Sequence, residues 1–191
     1  MNGIVNGHQK VLTSTTLNEV APDENLLKHR IPSNYSSFTS TLENRNPKEI
    51  STIISSMIKN NGLNLAWERK DKLLALFAYL MQYVNDLFSS PTPDNISDQF
   101  KTLNQIVPQM YNLNQQYPEE TSKCFKEVIK EKQEIFRKKG KFYPTLDTVI
   151  FFKIISVLFS TSDFRHPVVT PTIIFMSQIL TKCKLISRKD I

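Results

Sequence analysis

The sequence predicts an all-α protein, an irregular α-solenoid of the HEAT or armadillo kind. Apolar residues recur three and four positions apart along most of the chain, and prolines punctuate the boundaries between these segments. Glycine is scarce, at 4 of 191 residues, which suits long helices joined by short turns better than a β-sandwich. Helix pairs that cannot bury their apolar faces alone are typical of stacked helical repeats. The sequence shows no strict repeat period, so the repeat is irregular and a compact helical bundle is the alternative.

Composition divides the chain near residue 23. Residues 1–23 are rich in Asn, Thr, Ser and Gly without a sustained period, so we expect a flexible segment that buries too little to offset its ordering entropy. Residues 24–191 are predicted to form one α-helical repeat domain. Ser187 followed by Asp190 is a helix-start signal with almost no chain after it, so we expect this domain to be truncated at its C-terminal end.

The first two helices are predicted between residues 33 and 62. Ser33 is a candidate cap for the first helix. The apolar side chains that share one face of this helix are Tyr35, Phe38 and Leu42. The second helix is predicted from Asn46 as N-cap, Pro47 and Glu49 in its first turn, and Gly62 just past its end. Its apolar stripe consists of Ile50, Ile53, Ile54, Met57 and Ile58.

Two longer helices are predicted over about residues 65–88 and 97–116. The apolar residues of the first are Trp67, Leu73, Leu74, Phe77, Leu80, Met81, Val84, Leu87 and Phe88. Pro91 and Pro93 follow it and end it. The apolar residues of the second are Phe100, Leu103, Ile106, Val107, Met110 and Tyr111. Pro108 lies inside this second helix and is expected to kink it, because proline removes one backbone hydrogen bond.

A fifth helix is predicted from Pro118 to just before Gly140. Glu119 and Glu120 favour its start, because carboxylates are stabilised near the positive end of the helix dipole. Its apolar stripe consists of Cys124, Phe125, Val128, Ile129, Ile135 and Phe136. Three cations, Arg137, Lys138 and Lys139, occupy its last turn, where the dipole favours positive charge.

The two most apolar helices lie between residues 146 and 183 and are joined by a polar loop at 160–166. The first is apolar around almost its whole circumference, so we expect neighbouring helices to enclose it. Pro167 and Pro171 mark the start of the second. The wide apolar face of this last helix consists of Ile173, Ile174, Met176, Ile179 and Leu180.

This stretch also carries a family resemblance. Residues 159–172, Phe-Ser-Thr-Ser-Asp-Phe-Arg-His-Pro-Val-Val-Thr-Pro-Thr, resemble the central signature of the nucleolar protein 14 family. Residues 177–183 and 72–87 resemble further segments of that family at the expected distances, and the resemblance covers roughly residues 29–191. It implies a non-enzymatic scaffold of the small-subunit processome in the nucleolus, needed for 18S rRNA processing and biogenesis of the 40S ribosomal subunit.

The resemblance also implies partners. These are nucleolar assembly factors, namely a second helical-repeat nucleolar complex protein and the pseudouridine methyltransferase of the same particle, and a particle that contains pre-rRNA and small nucleolar RNA. The alternative function is a HEAT-like protein–protein adaptor without direct RNA contact. The resemblance does not indicate which residues would make these contacts.

Candidate contact residues fall into two groups. In the loop, Asp163, Arg165 and His166 either serve the fold or contact a partner protein or RNA phosphate. Short polar loops between helices usually cap backbone groups, which favours Ser162 or Asp163 as a cap and Phe164 as a filler of the groove between helices. The second group, which we call the basic cluster, consists of Arg137, Lys138, Lys139 and Lys141. With Lys130 and Lys132 before it, this cluster is either a solvated helix face or an RNA contact.

Several functional classes are disfavoured. Ser162, Asp163 and His166 lie too close in sequence to form a hydrolase triad, and no nucleotide-binding or zinc motif occurs, so we expect no cofactor, metal or small-molecule substrate. Lys153 interrupts the longest apolar run, which is shorter than the ~18 residues of a membrane span. The two cysteines lack metal-binding spacing and are expected to be small buried residues in a reducing compartment. The formal net charge of +6 is compatible with an anionic partner.

Overall fold

A computed structural model describes residues 29–60, 66–139, 143–160 and 165–183. Within these ranges the chain forms seven α-helices and no strand, so the predicted all-α class is confirmed. The helices are α1 (Tyr35–Leu42), α2 (Pro47–Lys59), α3 (Ala66–Ser89), α4 (Ile96–Gln116), α5 (Pro118–Lys139), α6 (Leu146–Leu158) and α7 (Val169–Lys182). The segment predicted to be flexible, residues 1–23, and Gly62 lie outside the described residues.

Asparagine side chains start the first two helices. Asn34, rather than the predicted Ser33, caps α1, because its Oδ1 accepts a hydrogen bond from the Ser37 amide at 2.8 Å. The predicted capping box of α2 is confirmed. The Glu49 amide donates to Asn46 Oδ1 at 2.9 Å, and the Asn46 amide donates to Glu49 Oε2 at 3.3 Å. These caps supply acceptors for amides that have no partner within the helix.

Helix α3 lies at the centre of the packing. It contacts α1, α4, α5 and α6, and it contributes a run of fully enclosed apolar side chains. These are Leu73, Leu76, Phe77, Leu80, Val84 and Phe88. Contacts between helices two apart along the chain, such as α3 with α5 and α5 with α7, fit a layered stack, but α3 also packs on α6. The HEAT or armadillo repeat is not confirmed by this arrangement and stays a prediction, as does the domain range 24–191.

Several apolar residues predicted for the core lie at the surface. Trp67, Phe100 and Tyr111 are exposed, although their spacing places them on apolar stripes. We expected neighbouring helices to enclose α6 on all sides. This expectation is wrong, since the side chains of Val149 and Val157 are each nearly half exposed. The spacing of apolar residues identifies which side of a helix is apolar. How much of that side is buried depends on which helices pack against it.

A buried asparagine joins α4, α5 and α6. The Nδ2 group of Asn114 donates to the carbonyl oxygen of Leu158 at 3.2 Å, and its Oδ1 accepts from the Thr121 hydroxyl at 2.6 Å. The Asn114 and Thr121 side chains are buried. Leu158 is the last residue of α6, so the asparagine satisfies a carbonyl that has no partner within its own helix. This contact fixes the end of α6 against the turn between α4 and α5.

We expect Asn114→Ala to lower the free energy of unfolding by about 1–3 kcal/mol, because it leaves the buried Leu158 carbonyl without its donor. Asn112→Ala is the matched control, since Asn112 is exposed two residues earlier on the same helix. The control should change stability by no more than about 0.5 kcal/mol. Urea unfolding of the two variants measures the difference, and equal shifts of the midpoint would contradict the role of Asn114.

Candidate functional site

Arg165 and His166, at the end of the loop between α6 and α7, differ in exposure. Arg165 is exposed and has a φ of 59°, in the left-handed region. That conformation costs a residue with a Cβ atom about 1–2 kcal/mol relative to the right-handed one. His166 is half-buried. Asp163 and Phe164 lie outside the described residues, so their expected roles stay predictions.

His166 caps the start of α7. Its Nδ1 accepts hydrogen bonds from the amides of Val168 and Val169, at 3.1 and 3.2 Å. The ring nitrogen serves as the acceptor for both N–H groups in this arrangement. The imidazole also packs on Phe159, with the ring centroids 5.0 Å apart. A histidine thus caps this helix start. The caps expected from the loop, Ser162 or Asp163, lie outside the described residues and stay predictions, as does partner contact by His166.

The described part of the basic cluster lies at the end of α5. Arg137 and Lys138 are exposed there. The Lys139 side chain and the whole of Lys141 lie outside the described residues. The hydrogen bonds and the ring contact described for His166 are made with Val168, Val169 and Phe159, and none of them involves Arg137 or Lys138.

Lys132, seven residues before the end of α5, points into the protein. Its ammonium donates to Asp147 Oδ2 at 2.5 Å and to Asn85 Oδ1. It also lies 5.8 Å from the centre of the Phe151 ring. The Lys132 and Asp147 side chains are only 11% and 7% exposed. Lys132 therefore links α5 to α3 and α6, and its interpretation as a solvated or RNA-binding cation is wrong.

Helix α7 leaves most of its predicted apolar face uncovered. The exposed residues, which we call the α7 apolar face, are Ile173, Ile174, Met176 and Leu180. Leu180 is 75% exposed, because α7 packs on α5 and α6 through a different side. The buried side consists of Val169, Thr172, Phe175 and Ile179. Met176 and Leu180 border a small apolar groove of about 210 Å³ shared with Val149 and Phe152 of α6. Large exposed apolar surfaces of this kind often mark interfaces.

Two further properties concern the described part of the chain alone. Its residues contain no group of three or more His, Cys, Asp or Glu side chains arranged to hold a metal ion. Of the helices in these ranges, none has the combination of length and apolar content needed to cross a membrane. The cysteines form no disulfide, and Cys183 is buried as expected while Cys124 is half-buried.

Comparisons with known proteins match nearly the whole chain to one family. The model of the Nop14-like family matches residues 9–191. A nucleolar protein 14 homolog of Drosophila melanogaster is 40% identical over 85% of this chain and 19% of its own length. Nucleolar protein 14 of Homo sapiens is 34% identical over 99% of the chain and 21% of its own length. Nucleolar complex protein 14 of Saccharomyces cerevisiae is 32% identical over 73% of this chain and 17% of its own length. The chain spans about a fifth of the length of these relatives.

We expect His166→Ala to lower the free energy of unfolding by about 0.5–2 kcal/mol, the usual effect of removing a helix cap. His166→Asn should be nearly as stable as wild type, because the asparagine Oδ1 occupies the position of the histidine Nδ1 and also accepts hydrogen bonds. Thermal unfolding of both variants beside wild type measures the effect. The capping role fails if the Asn variant is as unstable as the Ala variant, or if neither differs from wild type.

Proposed function

The chain belongs to the Nop14-like family, and we propose that it is a non-enzymatic scaffold segment of a nucleolar factor that assembles the small ribosomal subunit. The observation that carries the proposal is the family match, which extends over residues 9–191. The names of the relatives, nucleolar protein 14 and nucleolar complex protein 14, support a place in the nucleolus of the nucleus. The polar side-chain contacts around Asn114, Lys132 and His166 hold helices together, which suits a scaffold.

In this proposal the chain acts within the small-subunit processome, where it supports 18S rRNA processing and 40S subunit biogenesis. Its proposed partners are a second helical-repeat nucleolar complex protein, the pseudouridine methyltransferase of the particle, and RNA of the particle, either pre-rRNA or small nucleolar RNA. The α7 apolar face supports a protein partner, because exposed apolar side chains gain most from burial against another protein.

Direct RNA contact is proposed for the end of α5. Arg137 and Lys138 are exposed there, and Lys139 and Lys141 continue the same run of cations in the sequence. Cations that neutralise phosphates release counterions, which gives affinity without sequence preference and a strong dependence on salt. A chain with a net charge of +6 has the sign required for this kind of binding.

Arg165 is the proposed contact residue of the loop. A left-handed backbone position normally favours glycine, yet this chain carries an exposed arginine there. Backbone strain of this kind concentrates at functional sites, where the side chain is needed despite its conformational cost. Arginine is also suited to bidentate contacts with carboxylates and phosphates. These properties support a contact with a partner protein or with RNA.

The second candidate function is a protein–protein adaptor that does not touch RNA. The observation that favours it is the α7 apolar face, whose side chains offer nothing to a phosphate backbone. The two candidates differ in one measurable property. RNA binding through phosphates weakens steeply as salt rises, whereas docking of apolar surfaces does not.

We expect the substitution of Arg137, Lys138, Lys139 and Lys141 by Gln to weaken binding to single-stranded RNAs of unrelated sequence. If all four cations contact phosphates, the slope of log affinity against log salt should fall by up to about three units. The matched control replaces four other lysines by Gln, which removes the same charge from exposed positions elsewhere. These control positions are Lys48, Lys59, Lys72 and Lys182.

The salt slopes of wild type, variant and control are to be measured by RNA titration at several salt concentrations. An equal fall in slope for the variant and the control would indicate a net-charge effect and not a site at the end of α5. An unchanged slope for the variant would remove the basic cluster as the RNA contact. Absence of RNA binding by the wild-type chain would favour the adaptor.

A further inference from the structure

A groove of about 470 Å³ lies between α3 and α5. Its floor is apolar and consists of Met81 from α3, Val128 from α5 and Phe151 from α6. Met81 and Phe151 are buried, whereas Val128 is half-buried and is reached from solvent. We call this feature the α3/α5 groove. Its size and floor suit the insertion of an aliphatic or aromatic side chain.

Three carboxylates border the α3/α5 groove. Glu127 and Glu131 are exposed one turn apart on α5, so they line the same side of the groove. Asp86 is exposed on the α3 side and accepts a hydrogen bond from the Tyr35 hydroxyl at 2.6 Å. Among the ion pairs of the described residues, none involves these three carboxylates. The cation that lines the groove, Lys132, is already held by Asp147.

The negative charge at the groove also affects the pKa of the Cys124 thiol, which lines the groove. Burial, followed by the negative charge of Glu127, raises the pKa of the Cys124 thiol. A nearby carboxylate disfavours a second negative charge and favours a cation. The α3/α5 groove therefore combines an apolar floor with a negative rim, on a chain whose net charge is +6.

We propose that the α3/α5 groove binds a basic, amphipathic segment of a partner protein. The segment places an apolar side chain on Val128 and its Lys or Arg side chains on Glu127, Glu131 and Asp86. Charge complementarity selects this occupant over RNA, because phosphates would meet three carboxylates and like charges across an interface are unfavourable. The inference does not depend on the proposed function, since the groove is distinct from the basic cluster at the end of α5.

The test uses a fluorescein-labelled peptide in which leucines at helical spacing alternate with Lys and Arg, titrated against the whole chain by fluorescence anisotropy. We expect the double substitution Glu127→Gln and Glu131→Gln to weaken binding about three- to tenfold, the range that two solvent-screened ion pairs contribute. Glu119→Gln with Glu134→Gln is the matched control, because both residues are exposed on α5 and neither lines the groove. The control should weaken binding less than about twofold.

A second readout locates the bound peptide. Cys124 lines the groove and Cys183 does not, so mass spectrometry can compare their rates of alkylation in the same unaltered chain. Bound peptide should slow alkylation of Cys124 but not of Cys183, and a peptide with serine in place of leucine should protect less. Equal weakening in both double variants, absence of peptide binding, or binding that leaves Cys124 unprotected would overturn the proposal. Protection of Cys124 by single-stranded RNA would overturn it in favour of a nucleic acid.

Discussion

The buried contact of the Lys132 ammonium with Asp147 and Asn85 sets the relative positions of α3, α5 and α6. Removing two charges from water is unfavourable, and their attraction offsets this only when the partners and their hydrogen bonds are well placed. Asp147 lies in the first turn of α6, where the helix dipole also stabilises a carboxylate. Because α3 contacts four other helices, an interaction that fixes α5 and α6 against α3 constrains most of the described fold.

Along its length, helix α5 places its charged side chains in three different electrostatic environments. Lys132 is enclosed, Glu127 and Glu131 border the α3/α5 groove, and Arg137 and Lys138 are exposed at the helix end. A negative groove and a positive helix end thus occur on one rigid element. We propose that these are separate surfaces, one for a basic protein segment and one for RNA, while the α7 apolar face offers a third surface of different chemistry.

Local rules predicted much of the fold and little of the site. The capping box of Asn46 and Glu49 and the start of α5 at Pro118 depend on neighbouring residues, so the sequence contains them directly. Lys132 was not distinguishable from the lysines around it, because its partner Asp147 is 15 residues away and Asn85 is 47 residues away. His166 was missed as a cap since histidine is not a preferred residue there. The exposure of the α7 apolar face depends on which helices pack against it, which spacing along one helix does not encode.

A thermodynamic cycle on Lys132→Met and Asp147→Leu, measured by urea unfolding, tests the central role of this contact most directly. Each single substitution leaves a buried charge without its partner and should lower the free energy of unfolding by about 3–5 kcal/mol. The double variant has no unpaired charge, so its loss should be clearly smaller than the sum of the two single losses. Single losses below about 0.5 kcal/mol, or losses that simply add, would contradict the account.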